Sequence, residues 1–158
     1  MDRFSKLSHM MFNIALHHSW GVLMAIMQPD LRDSTQFLEV PFFWFEHIVL
    51  LVIPCWAIWT GRFFLNPLSI KLATASFFII AIYHSLLLTT VALVTGVNLN
   101  YVLKPPLGVL ELFGIYYRPI MYLFCFFITL FTRYVLWAGV YKLIQSAKSF
   151  SAVDGKIE

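Results

Sequence analysis

Four long apolar runs, separated by short polar breaks, dominate the chain. The first extends from about His9 to Met27 and closes at "QPD". The second follows Pro41, from Phe42 to Thr60, and stops at Gly61 and Arg62. The third runs from Leu72 to Thr95 and the fourth from Pro119 to Leu143. A helix rises about 1.5 Å per residue, so about 20 apolar residues are needed to cross the hydrocarbon of a bilayer, and all four runs reach that length. None alternates with period two, and lipid tolerates only helices and closed barrels. The pattern therefore predicts an all-α, multi-pass integral membrane helix bundle of about four transmembrane helices over residues 1–143. Residues 144–158 read as a short, polar, frayed cytosolic tail.

Composition agrees with the pattern. The 158 residues are 60% hydrophobic and 12% charged, whereas soluble domains run at roughly 45–50% and about 25%. Cys55 and Cys125 both lie inside apolar runs, and two thiols make no disulfide framework. The N-terminal basic residues precede a run with no small-residue cleavage site, which reads as a retained span. Basic residues flanking the spans set the orientation. Arg3, Lys6, Arg62, Lys71, Lys142, Lys148 and Lys156 fall on one side; Arg32, Lys104 and Arg118 fall on the other, and Arg133 lies within the fourth span. Both termini are thus expected in the cytosol. The net charge of +3 is this flank bias and gives no reason to expect nucleic acid as a partner; membrane lipids are the expected partners.

Ionisable groups at membrane depth are costly and so mark candidate sites. His47, in "FFWFEHIVLLVIP", lies about six residues into the second span, after Glu46. Its imidazole suits proton transfer, or it hydrogen-bonds a neighbouring helix. His84 sits at the middle of the third span. His17 and His18 point two ways around the first helix, so at most one is expected to face a shared interior. No pair of ligands at metal-binding spacing occurs, so neither metal nor cofactor is expected. Ala81, Ser85, Thr89, Ala92 and Gly96 form a stripe of small residues that predicts a packing face on the third span. The stretch "TGVNLNYVLKPP" then ends that span with two amides, a tyrosine and a lysine. It is either a simple helix stop or a loop whose amides orient a head group or a transferring carbonyl.

The runs "WGVLMAIMQPDL", "FFWFEHIVLLVIP", "YHSLLLTTVALVTGVNLNYVLKPP" and "YYRP" keep an order that resembles the transmembrane protein 164 family and related bacterial integral-membrane proteins, over about residues 10–120. The resemblance implies a multi-pass protein of a phospholipid acyltransferase type, in which a cysteine carries the acyl group and a histidine assists. It assigns the histidine role to His47, and favours Tyr83, His84, Asn98 and Asn100 as site or supporting residues, with Tyr101 and Lys104 at the same end of the third span. The second and third spans are then expected to pack together, with His47 near the "VNLN" loop in the non-cytosolic half. The family's cysteine motif falls N-terminal to the matched region, so the chain reads as a C-terminal portion. Cys55 lies about 12 Å along the helix from His47, and Cys125, although at similar depth to His47, has the apolar surroundings of an inert thiol. No acyl-enzyme is expected from this chain alone, and a non-catalytic transporter-like or partner-binding bundle stands as the alternative.

Overall fold

In the computed structural model of the protein, residues 3–27, 29, 31, 36–105 and 109–154 are described. All regular structure among them is helical. Helices α1 (Arg3–His18) and α2 (Trp20–Met27) form the first span, and α3 (Glu39–Trp59) the second. The third is α4 (Ile70–Ile82), a π-helical turn (Tyr83–Leu88) and α5 (Thr89–Thr95). The fourth begins as a 3-10 segment (Val109–Tyr116) and continues through α6 (Tyr117–Phe131), a π-helical turn (Thr132–Leu136) and α7 (Trp137–Asp154). Among the described residues, four helical runs are long and apolar enough to cross a membrane: Ser5–Met27, Glu39–Trp59, Ile70–Thr95 and Leu110–Ser151. Their outer faces carry Phe45, Ile53, Leu93 and Phe127, all more than half exposed in the isolated chain, as lipid-facing residues must be.

The first span is the centre of the bundle. α1 packs on α4, α6 and the second π turn, α2 packs on α3, and α7 closes against α3. Asn13, Leu16 and His17 are accordingly almost fully buried. The second and third spans share little direct contact, contrary to the sequence expectation, because the first span stands between them. α1 breaks at Ser19, whose hydroxyl donates to Leu16 O (2.9 Å) and accepts from Trp137 Nε1 (2.6 Å), which fastens the break to the fourth run.

Two other expectations shift. Helix continues past Leu143 to Asp154, because Ile144 still packs on the cluster of Leu16, Ile58 and Trp137. Lys148 then reaches the C-terminal end of α3, donating to Ile58 O at 3.4 Å and sitting 6.0 Å from the Trp59 ring. A cation satisfies terminal carbonyls and the negative end of the helix dipole there. The polar tail is thus largely helical, and residues 155–158 lie outside the described residues. The small-residue stripe of the third span also does not act as one packing face. Ala92 is buried, but Ser85 and Gly96 are exposed, and the buried face of α4 is Ala73 and Ser76. The π turn between them holds an extra residue, which shifts the register on which the α-helical spacing relied.

Candidate functional site

All four spans converge on one cavity of about 520 Å³, a size typical of ligand sites. Apolar side chains form most of its wall: Trp20, Met24, Phe43, Phe77, Ile80, Leu110, Met121 and Phe124. The polar groups that reach it are His18, His47, His84, Tyr101, Tyr122 and Cys125, and among the described residues no charged side chain lines it. Met24 lies near the end of the first span, His47 near the start of the second and Tyr101 after the third, while His18, Phe77, Ile80 and His84 are mid-span, so the cavity runs from one end of the bundle into its middle.

Each histidine is oriented by its own partner. His47 Nδ1 lies 2.7 Å from Phe43 O, one turn back on α3. A carbonyl can only accept, so Nδ1 carries a proton, which leaves the lone pair of the neutral ring on Nε2. The Phe43 ring packs beside the imidazole at 4.2 Å and fixes its plane. His18 Nε2 lies 2.7 Å from Ser76 O, so that ring is protonated at Nε2 by the same reasoning. His84 sits in the π turn, with Nδ1 3.1 Å from the Tyr122 hydroxyl, which also hydrogen-bonds Ser85 Oγ at 2.7 Å. The widened turn lets two successive residues reach one phenol. It is held open by Thr89, whose hydroxyl donates to His84 O at 3.1 Å. Such π turns recur at functional sites.

The loop after the third span is organised by one side chain. Gly96 ends α5 in the left-handed conformation (φ 73°), its N–H returning to Ala92 O. Asn98 Oδ1 then accepts from Leu103 N (2.8 Å) and Lys104 N (3.0 Å), and Asn98 Nδ2 donates to Lys104 O (3.1 Å). The Asn98 amide therefore closes the loop and does not line the cavity. Tyr101 takes φ 59°, a conformation costing about 1–2 kcal/mol for a non-glycine residue. The Tyr117 hydroxyl, within 3.0 Å of both Tyr101 O and Val102 O, holds it there. Tyr101 reaches the cavity; the Lys104 side chain is exposed, Tyr83 faces outward, and the side chain of Asn100 lies outside the described residues. So His47, His84 and Tyr101 come together, Asn98 supports the loop behind them, and Tyr83 and Lys104 stand apart from the cavity. Asn98→Ala removes three hydrogen bonds and is expected to loosen the loop by about 1–3 kcal/mol. Limited proteolysis should then cut within residues 98–104 several-fold faster while the helices keep their protection; unchanged cleavage would show that the loop is held by other means.

The TMEM164 family model matches residues 5–141, which include all of the first three spans and most of the fourth. The chain belongs to the TMEM164 family. No solved structure matches it.

The opposite end of this TMEM164-family bundle is closed by polar contacts. Arg133, almost wholly buried, donates from Nη2 to Asn13 Oδ1 (2.9 Å) and Asn66 O (2.8 Å). Asn13 Oδ1 also accepts from Asn66 N (2.9 Å), and Asn13 Nδ2 donates to His9 O (3.0 Å) and Phe64 O (3.2 Å). The clamp extends through His17 to Tyr134, whose hydroxyl donates to Ser69 O at 2.8 Å. His17 and His18 thus both turn inward, one to this clamp and one to the cavity, because the central first span is packed on several sides. Sequence reasoning passed over Asn13 and Tyr122, which no motif marks. Arg133 was visible: an arginine well inside an apolar run is itself the signal.

Proposed function

We propose that this chain takes part in acyl transfer between membrane lipids, holding an acyl chain and its ester carbonyl in the cavity and using His47 as the general base. The observation that carries this reading is the convergence of His47, His84, Tyr101 and Tyr122 on one apolar space of about 520 Å³ at membrane depth. An uncharged, mostly apolar wall favours acyl chains over head groups. Nε2 of His47 takes the proton of an attacking hydroxyl as its oxygen adds to the ester carbonyl. The oxyanion that forms is stabilised by phenol donors on the cavity wall. When the carbonyl re-forms, the departing alcohol oxygen takes the proton back from His47, and the acyl group has changed carrier. The resemblance to phospholipid acyltransferases supports acyl transfer as the reaction class and an assisting role for His47, although the cysteine carrier it implies has no part in this route.

The test uses the full chain in lipid nanodiscs, with a phospholipid bearing a labelled acyl chain and an unlabelled lysophospholipid. Label appearing on the lysophospholipid's head-group species, read by mass spectrometry, is the expected result. Lipid that co-purifies with the chain but exchanges no label would instead identify a non-catalytic lipid-binding bundle.

A further inference from the structure

The cavity accepts an acyl chain but offers no charge, so the lipid phosphate must be met outside it. The cation placed for this is Arg118. It lies one helical turn, about 5.4 Å, before Tyr122 on α6, and Tyr122 lines the cavity. Its guanidinium is aimed by the third span: Nη2 donates to Thr89 Oγ1 at 3.1 Å. Thr89 is in turn locked to the π turn through its bond to His84 O. Arg118 and Thr89 therefore sit one turn further along the same pair of helices that bring His84, Ser85 and Tyr122 together. Among the described residues no carboxylate pairs with Arg118, and the contact seen for its guanidinium is the one to Thr89. A guanidinium held by one N–H keeps further donors for a phosphate oxygen.

Resting on the acyl-transfer reading, we propose that Arg118, oriented by Thr89, binds the phosphate of a glycerophospholipid and thereby sets its ester carbonyl at the level of Tyr122 and His84. In a glycerophospholipid, phosphorus and the nearer ester carbonyl are separated by only the few bonds of the glycerol backbone. One helical turn is a matching span. A diacylglycerol would enter the same cavity without this contact, so the chain would discriminate between lipids that differ only in the phosphate. The selectivity resides in charge-assisted hydrogen bonds and not in the acyl pocket.

The experiment compares the wild-type chain with Arg118→Gln, Arg118→Lys and Thr89→Val in nanodiscs. Retained lipid is read by native mass spectrometry, and labelled acyl transfer is followed in parallel. Arg118→Gln should weaken phosphatidylglycerol retention about ten- to a hundred-fold, the range for a charged hydrogen bond, and leave diacylglycerol retention unchanged. Arg118→Lys should restore part of the loss and Thr89→Val should show a smaller one. Equal losses for both lipids, or no loss for either, would overturn the assignment. So would inorganic phosphate binding at Arg118 while phosphatidylglycerol retention ignored the substitution. Arg118-dependent retention without acyl transfer would sink the acyl-transfer reading alone; transfer indifferent to Arg118 would sink this one alone.

Discussion

Asn13→Leu is expected to destabilise the bundle far more than Arg133→Met, although Arg133 carries the charge. Asn13 uses its whole hydrogen-bonding capacity, two bonds accepted by Oδ1 and two donated by Nδ2. Leucine at that position strands the Asn66 N–H and the Phe64 carbonyl and strips an acceptor from a buried guanidinium. Unpaired buried groups cost about 1–3 kcal/mol each and an uncompensated buried charge about 3–5 kcal/mol, so a loss on the order of 4 kcal/mol or more follows. Methionine for Arg133 removes the charge together with its need for partners, fills much of the same space, and leaves Asn13 bonded to Asn66. That change should cost about 1–2 kcal/mol at most. Thermal unfolding in detergent, followed by circular dichroism, should show Asn13→Leu melting roughly 10 °C below Arg133→Met. The double variant should be less damaged than the sum, because methionine no longer asks for the lost acceptor. If Arg133→Met proves the worse of the two, the charge is an anchor and not a liability.

The spans were legible because lipid leaves the chain few choices, and a run of 20 apolar residues is a long-range signal carried by every residue in it. The features that were not legible depend on one residue's angle or one distant partner. The small-residue stripe assumed uniform 3.6-residue turns, and a single inserted residue at Tyr83–Leu88 breaks that spacing, leaving Ser85 on the Tyr122 hydroxyl and Ala92 buried apart from it. The helix beyond Leu143 persists through Ile144 and Lys148, which find partners about 90 residues away at Ile58. His47 and His84 stand out in the sequence because each is an ionisable group inside an apolar run, and both line the cavity. Tyr122 was not, since a tyrosine near a membrane interface is ordinary until its hydroxyl meets His84. Asn98 is expected either at the site or in support of it, and its amide is taken up by the loop's own backbone.

Substituting His47 separates a proton carrier from a structural histidine. The ring is held through Nδ1, which donates to Phe43 O at 2.7 Å, and the proposed chemistry uses Nε2. Asparagine places its amide nitrogen near the position of Nδ1 and can keep the bond to Phe43 O, but it has nothing at Nε2. Glutamine reaches the Nε2 position but brings an amide that neither takes nor returns a proton. If His47 serves only to tie down α3, His47→Asn should behave as wild type. If Nε2 moves the proton, His47→Asn and His47→Gln should both lose about 10²–10⁴-fold in acyl transfer, the usual contribution of a positioned general base. Melting temperature and lipid retention should stay close to wild type, since the wall of the cavity is otherwise intact. His47 lines the cavity and shares it with His84 and Tyr101. Transfer by the His47→Asn chain within a few-fold of wild type would remove His47 from the chemistry. The next candidate would be His84, whose imidazole in this cavity is joined to the Tyr122 hydroxyl.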